Sequence, residues 1–385
     1  MTENNPNSGR DLLRHLVSQG DAMLALLRRL VELESPSDNK AALDRFSAAL
    51  APEFTRRGAR VTLHRVRGLG DHLQADFPGA AGRPLLLLGH LDTVWDIGTL
   101  ARMPFRVRAG RAYGPGIFDM KGGIVLALFA LEALQSLRGR PPRPVTVLLV
   151  SDEEIGSHSS RAITLKLAKK SEAVLVLEPA AGPQGACKTG RKGVGVFQLT
   201  VTGQPAHAGL DFSSGHSAVL ELARQIEKIA ALTDLQRGLT VNPGVIRGGT
   251  RSNVIAAEAW AEIDVRIARA PDAAFITRKL RALRPVDRGC KLVLTGGVNR
   301  PPLERGRDNL RLYRHARALA AALGFTLGET TVGGGSDGNF TAAAGVPTLD
   351  GLGVVGDGAH AHDEHVLVRE LPRRAALLAR LIETL

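Results

Sequence analysis

The stretch LLLLGHLDTV, residues 85–94, decides the fold. Its four successive leucines form an aliphatic run typical of a strand that is buried on both faces of a sheet. The run ends abruptly at His90, and a carboxylate follows at Asp92. Because the interior of a sheet offers no partners for an imidazole and a charge, we expect another group beyond this strand end to bind them.

The composition is that of a globular protein, with 385 residues, 44% hydrophobic and 23% charged. This length exceeds what one hydrophobic core supports, which predicts two domains. The longest apolar stretch, GIVLALFALEAL from Gly123, contains Glu132 and is shorter than the roughly 20 residues of a membrane span. The polar start MTENNPNSGR lacks the pattern of a secretion signal, so we expect a cytoplasmic protein without a membrane partner.

Charge and cysteine usage argue against two further classes. The formal net charge is +12, but the arginines are scattered and aromatic residues make up only 4%. A basic surface that aids solubility and attracts anionic substrates is therefore favoured over nucleic-acid binding, which needs aromatic platforms for bases. Cys187 and Cys290 lie far apart without CxxC spacing, which predicts neither a disulfide framework nor a thiolate metal site.

Two parts of the chain differ in their order of predicted helices and strands. From residue 10 to about 190, helical segments alternate with aliphatic strands, which predicts an α/β sheet covered on both faces. Between about 190 and 300 the order strand-helix-strand-strand-helix-strand predicts a ferredoxin-like α+β domain inserted into the larger one. We predict a flexible tail at 1–9, a larger domain of 10–189 plus 301–385, and an inserted domain of 190–300.

Acidic and imidazole groups follow three predicted strands, and one more precedes a helix. The strand LLLLGHLD gives His90 and Asp92, VTVLLVSDEE gives Asp152, Glu153 and Glu154, AVLVLEP gives Glu178, and YGPGIFDMKGG gives Asp119. Any one of them alone is more typical of a helix cap or a solvated turn. Gathered beyond the carboxyl ends of strands, where α/β sheets bind ligands, they would repel one another unless cations neutralised them.

The residue types also indicate which cations. Histidine with several carboxylates and no thiolate suits zinc, cobalt or manganese. Because there are more carboxylates than one ion can use, the pattern predicts two ions with one carboxylate bridging them.

Five motifs in order, GHLDTV, GPGIFDMKGG, SDEEIGS, LEP and TGRKGVGVFQLTVTGQPAHAG, resemble the M20 family of di-zinc peptidases and aminoacylases. The last is particularly similar to the glutamate carboxypeptidase (carboxypeptidase G) branch. The resemblance extends from about residue 10 to 385. It implies a zinc-peptidase catalytic domain whose central mixed sheet carries helices on both faces, and an inserted domain that serves dimerisation or acts as a lid.

The resemblance also implies a ligand set for two Zn²⁺ ions, with Co²⁺ or Mn²⁺ as substitutes. The ligands are His90, Asp119, Glu154, Glu178 and His360, with Asp119 bridging. The segment GDGAHAHDEHV offers His362 and His365 as well. His360 is favoured because Glu364 follows it four residues later, as is typical of the family.

Catalytic roles follow from the same resemblance. Glu153 matches the general base, and Asp92 matches the carboxylate that fixes the ring of His90. His207, in PAHAG, matches a histidine that reaches across a dimer interface to stabilise an oxyanion.

Substrate contacts are also implied. Asn253 and Arg266 match residues that hold the substrate carbonyl and carboxylate, and Gly335 belongs to VGGGSDGNF, a loop that lines the substrate pocket. Phe212 stands where the family often has proline, which leaves the shape of that loop and the side-chain preference open.

The prediction is a cytoplasmic, homodimeric di-zinc metallopeptidase that cleaves an amide or peptide bond next to a free carboxylate, releasing C-terminal glutamate or a similar amino acid. An N-acyl-amino-acid amidohydrolase or a dipeptidase of the same family is the alternative within this chemistry. The alternatives that are not enzymes are a binding protein that kept the fold and a nucleic-acid-binding protein. The complete set of ligand positions favours the enzyme.

Overall fold

A computed structural model describes residues 6–385, with side chains from Gly9 onward. Residues 1–5 of the predicted tail lie outside the described residues. Helix α1 begins at Pro6, so residues 6–9 are helical and do not belong to the predicted flexible tail. The chain divides into two compact units, the first ending at Gly190 and resuming with Arg305–Thr331 and Ser336–Leu385, the second formed by Arg191–Glu304 and Val332–Gly335.

The helices are α1 (Pro6–Ser18), α2 (Gly20–Val31), α3 (Lys40–Thr55), α4 (Gly122–Arg138), α5 (Arg161–Lys170), α6 (Ala218–Ala230), α7 (Ala270–Arg281), α8 (Arg307–Ala322), α9 (Gly338–Ala343) and α10 (Leu371–Thr384). The strands are β1 (Arg60–His64), β2 (His72–Phe77), β3 (Leu85–His90), β4 (Arg106–Arg108), β5 (Arg111–Tyr113), β6 (Val145–Val150), β7 (Ala173–Val176), β8 (Cys187–Arg191), β9 (Gly193–Thr202), β10 (Thr240–Gly248), β11 (Glu258–Ile267), β12 (Lys291–Arg300), β13 (Glu329–Val332), β14 (Thr348–Leu349), β15 (Gly356–Asp357) and β16 (His365–Leu367). Within residues 6–385, no helix combines the length and apolar character needed to cross a bilayer.

The first unit is built on a six-stranded sheet in the order β1-β2-β6-β3-β7-β14. Strand β3 runs parallel to both β6 and β7, and β14 runs parallel to β7, whereas β1 and β2 are antiparallel to their neighbours. The predicted mixed sheet is therefore confirmed. Strand β3 lies inside the sheet with all six of its residues buried, as its aliphatic run predicts.

Helices cover both faces of this sheet, as predicted. Leu85 and Leu87 of β3 belong to the core cluster that includes α4 and α10, whereas Leu86 and Leu88 pack in a separate cluster with Ala168 of α5. Full burial of each leucine stabilises the fold by roughly 1.5–3 kcal/mol. The strand that carries His90 is thus anchored from both sides.

The second unit contains an antiparallel sheet in the order β10-β11-β9-β12. Along β9, buried residues alternate with more exposed ones, because only one face of the sheet packs against helices. That face carries Phe197, Leu199 and Val201, and its core includes Leu222 of α6 and Ile276 of α7. The element order is the ferredoxin-like order that the sequence predicts.

Candidate metal and catalytic site

Three neighbouring parallel strands end at the same edge of the first unit's sheet. In the ladders of β3, His90 is paired with Val150 of β6 and Leu88 with Val176 of β7. The residues that follow β6 and β7 therefore emerge beside His90. This alignment brings the glutamates after β6 and the glutamate after β7 to one place, where α/β sheets bind ligands.

Two groups of side chains meet there and share one residue. His90 Nε2 lies 3.1 Å from Asp119 Oδ1 and 3.3 Å from Glu178 Oε1. His360 Nε2 lies 3.5 Å from Asp119 Oδ2 and 3.2 Å from Glu154 Oε1. Asp119 thus presents one carboxylate oxygen to each histidine, so that two three-residue sets have a single aspartate in common.

These spacings fit metal ions. Zinc ligands lie about 2.0–2.2 Å from the ion in a tetrahedral arrangement, which places neighbouring ligand atoms about 3.4 Å apart. The four distances, 3.1, 3.3, 3.5 and 3.2 Å, lie close to that value. Imidazole nitrogens and carboxylate oxygens are also the donors that zinc, cobalt and manganese accept in proteins. The residues therefore fit two divalent cations with Asp119 between them.

Hydrogen bonds between the imidazoles and the carboxylates shift the pKa values of this cluster. Hydrogen bonds with Asp119 and Glu154 raise the pKa of His360 to about 10. Burial lowers the pKa of His90, but its hydrogen bonds, that with Asp119 first, raise it well above its usual range. Burial raises the pKa of Asp119, but hydrogen bonds with the two histidines keep it below its usual range. A cation must therefore displace protons from the imidazoles in order to bind.

We accordingly expect metal affinity to rise with pH. Since a raised histidine pKa keeps the metal-free imidazoles protonated, each displaced proton should increase the apparent affinity about tenfold per pH unit below that pKa. Competition with a chromophoric chelator at pH 6, 7 and 8 measures the slope. Equal affinity at the three values would mean that metal binding displaces no proton from the site.

The sequence predicts that the carboxylate of Asp92 holds the ring of His90, but in the structure the main-chain carbonyl of Asp92 does so. The ring of His90 donates from Nδ1 to the main-chain carbonyl of Asp92 at 2.9 Å, whereas the carboxylate Oδ1 lies 3.5 Å from that nitrogen. A carbonyl only accepts, so in the neutral ring the hydrogen is on Nδ1, which leaves Nε2 for a metal. The carboxylate instead accepts the amides of Glu153 and Glu154, at 3.2 and 3.1 Å, and the Ser37 hydroxyl at 2.8 Å.

Glu153 and Glu154 are adjacent in sequence but have different neighbours. Glu154 reaches His360, whereas Glu153 offers a carboxylate oxygen within 4.8 Å of donor atoms of His90 and Glu178. Both residues are partly exposed, and the carboxylate of Asp92 accepts the main-chain amides of both. Glu153 therefore stands beside the predicted ligands, at a position that suits either a proton acceptor or a further ligand.

His207 and Asn253 are neighbours in the second unit. His207 pairs with the residue after Asn253 in a β-bridge, and the amide after His207 donates to the Asn253 carbonyl at 3.0 Å. His207 Nδ1 accepts the amides of Gly209 and Leu210 at 3.1 and 3.2 Å. In the neutral ring the hydrogen is therefore on Nε2, which makes that nitrogen a donor.

Arg266 and Gly335 lie elsewhere in the second unit. Arg266 is opposite Val194 in the β9–β11 ladder, and a Cβ added to Gly335 would lie 3.1 Å from the Val194 side chain. Asp264 occupies one edge of the guanidinium, with two contacts of 2.9 Å. The His207 segment follows the other end of β9, beyond Thr202, and eight residues of strand separate the two ends by roughly 27 Å.

In the sequence, Glu364 only supports the choice of His360 through its spacing, yet in the structure it contacts the turn of Asp119 directly. Its fully buried carboxylate accepts hydrogen bonds from Trp95 Nε1 at 2.8 Å and from the amides of Gly116, Phe118 and Asp119 at 2.9, 2.9 and 3.0 Å. Burial raises its pKa to about 7, and the four donors act in the opposite direction. Its place four residues after the predicted histidine ligand was the available signal.

Comparison with known proteins identifies the family of this sequence. The sequence profile of peptidase family M20/M25/M40 matches residues 86–384. Carboxypeptidase G2 of Pseudomonas sp. (strain RS-16) is 34% identical over 379 residues, which cover 96% of this chain and 91% of that protein. The solved structures of aminopeptidase PepT from Bacillus cereus (TM-score 0.78, 22% identity) and the M20 family metallo-carboxypeptidase Sso-CP2 from Sulfolobus solfataricus (TM-score 0.75, 16% identity) share the fold, each over 94% of this chain and 98% of theirs.

Proposed function

From its membership of peptidase family M20/M25/M40, which makes this chain a metallopeptidase, we propose that the protein is a di-zinc enzyme that cleaves an amide or peptide bond next to a free carboxylate. The released group is a C-terminal glutamate or a similar amino acid. The observation that carries the proposal is the shared aspartate, whose two oxygens face His90 and His360 at 3.1 and 3.5 Å.

Each ion has its own protein ligands in this proposal. His90 and Glu178 would hold one, His360 and Glu154 would hold the other, and Asp119 would serve both. The chemistry supplied by the bound ions is Lewis-acid polarisation of the scissile carbonyl and a lowered pKa of the attacking water.

Glu153 performs the proton transfers. Its carboxylate takes a proton from the attacking water and returns it to the nitrogen of the leaving amine as the C–N bond breaks. Support comes from the Asp92 carboxylate, which accepts the Glu153 amide at 3.2 Å and so holds this part of the chain beside the ligands. A base positioned in this way needs no reorganisation before it accepts the proton.

The second unit supplies the substrate contacts. His207, with its donor at Nε2, supports the developing oxyanion, and Asn253 beside it binds the carbonyl. Arg266 binds the substrate carboxylate with the guanidinium edge that Asp264 leaves available, next to Gly335. Because the two ends of β9 next to which these pairs lie are roughly 27 Å apart, we do not expect one small substrate to contact both pairs of a single chain, which supports a homodimer in which each site takes the His207 pair from the partner subunit.

Mixed dimers test this shared site. A His207→Ala chain combined with a Glu153→Gln chain should recover up to half of the parental activity, because one of the two sites then has both residues intact. Glu153→Gln combined with Glu154→Gln is the matched control and should recover none, since both residues belong to the same chain's site. Activities are measured after co-expression with two affinity tags. Lack of recovery in the first pair contradicts the shared site.

A substrate panel tests the function itself. We expect N-acyl-glutamates to be hydrolysed, the activity to vanish on chelation and to return with Zn²⁺, Co²⁺ or Mn²⁺. Equal rates on other N-acyl amino acids or on dipeptides would favour the aminoacylase or dipeptidase alternative. A protein that binds these compounds without hydrolysing them, even when loaded with metal, would be the fold-retaining binding protein. A cytoplasmic location remains a prediction.

A further inference from the structure

One buried carboxylate accepts hydrogen bonds from two other segments of the first unit. Glu364 Oε1 accepts the amides of Phe118 and Asp119, and Oε2 accepts the Trp95 indole and the Gly116 amide. Each oxygen therefore has two donors, and three of the four donors belong to the turn that presents Asp119. A carboxylate that accepts several N–H groups forms charge-assisted hydrogen bonds, which are stronger than those between neutral groups.

That turn depends on an outside partner. Asp119 and Met120 have φ/ψ values of −115°/94° and −134°/35°, which are not helical, and helix α4 begins only at Gly122. Amides in such a segment cannot be satisfied by helical hydrogen bonds, and a buried amide left without an acceptor is costly. Glu364 supplies the acceptor.

The same residue belongs to the segment that carries His360. The Glu364 amide donates to the carbonyl of Ala361 at 3.0 Å, and the next residue, His365, pairs with Tyr113 of β5. Glu364 thus joins the loop of His360 to the turn of Asp119. Those two residues are the ones whose Nε2 and Oδ2 atoms lie 3.5 Å apart.

We propose that Glu364 is a positioning residue that sets the separation of Asp119 and His360, and so controls the affinity for the second ion, the one held by His360 and Glu154. This inference rests on the proposed function. The first ion also uses Asp119 but depends less on Glu364, because its other two ligands, His90 and Glu178, end or follow strands of the buried sheet. His360 of the second ion lies instead in the segment that carries Glu364 itself. Loss of Glu364 should therefore leave a protein that holds one ion well and the other poorly.

The test is the metal content of Glu364→Gln. The amide keeps the size of the side chain but points an NH₂ group at two of the four donors. We expect 10- to 100-fold weaker binding of the second ion, seen as one zinc per chain where the parent holds two after equilibrium dialysis against buffered zinc. Two ions at parental affinity in this variant overturn the proposal.

Glu221 of α6 provides a matched control. It is also fully buried and accepts two amides, those of Val286 and Asp287, each at 2.9 Å, together with the Gln225 side chain at 2.6 Å. All these partners belong to the second unit. Glu221→Gln should therefore lower the urea midpoint while retaining two ions, and an equal loss of the second ion in both variants would overturn the proposal as a general effect of instability.

Two further measurements complete the experiment. Should Glu364→Gln fail to fold, Glu364→Asp retains the charge but shortens the reach, and it is expected to show the same selective weakening; parental affinity there also overturns the proposal. The parent protein tests the site separately. Fewer than two ions in the parent contradicts the proposed di-zinc function itself, whereas two ions in the parent and in every Glu364 variant contradicts only the positioning role.

Discussion

Replacing Glu153 with glutamine is expected to lower kcat by about 10²–10⁴-fold, the usual contribution of a general base, while both metal ions stay bound. Glutamine retains the shape and a hydrogen-bonding group but cannot take a proton from water. KM should change little, because the proton is transferred in the reaction and not during binding. Stopped-assay kinetics together with zinc analysis of the same samples measure both quantities.

The adjacent glutamate is the matched control for this variant. Glu154→Gln makes the same chemical change one residue away, but Glu154 lies 3.2 Å from His360 and is a proposed ligand. It should therefore lose zinc together with activity. Loss of zinc from Glu153→Gln as well would show that Glu153 is a ligand, which its position within 4.8 Å of donor atoms of His90 and Glu178 permits.

The second large effect is expected at Asp119. Because this residue presents one oxygen to each histidine, Asp119→Asn should weaken the binding of both ions at once. Losing the charge stabilisation of two ions, worth several kcal/mol, corresponds to a decrease in kcat/KM of about 10³-fold or more. Isothermal titration with Zn²⁺ of chelator-treated protein measures the affinities, and excess zinc should restore little of the activity.

Variants at the unshared ligands make this prediction specific. Glu178→Gln should weaken only the ion on the His90 side, and His360→Ala only the other, each leaving one ion per chain. The prediction for Asp119 would be contradicted if Asp119→Asn also kept one ion at parental affinity, because a bridging carboxylate cannot be lost from one ion alone.

Much of this site could be predicted because its residues follow strongly patterned strands. The buried strands that end at His90 or precede Glu153 and Glu178 are six, six and four residues long, and in a parallel sheet their carboxyl ends must lie side by side. The motifs then assigned ligands that the structure brings to within 3.5 Å of one another. Periodicity and the family resemblance were sufficient to predict this grouping, whereas the roles of these residues as metal ligands stay predictions.

The contacts of Glu364 could not be predicted from periodicity. They depend on β5, β15 and β16, strands of two or three residues, which are too short to show an alternating pattern. Glu364 also lies 245 to 269 residues from its four donors in sequence. Similarly, nothing in the order GHLD indicated that the main chain of Asp92 would hold the ring of His90 while its side chain held two amides.

Asp92 contacts three functional residues, although it touches no substrate in the proposed mechanism. Its main-chain carbonyl holds the ring of His90, and its side chain holds the amides of Glu153 and Glu154. Replacing its side chain would release the amides of Glu153 and Glu154 together, so that proton transfer and metal binding would both be impaired and Asp92 could be mistaken for a participant in the reaction. The kinetics of such a variant would combine two defects whose effects are not additive. A single substitution at this position would therefore impair two adjacent functional residues at once, which leaves little room for neutral change there.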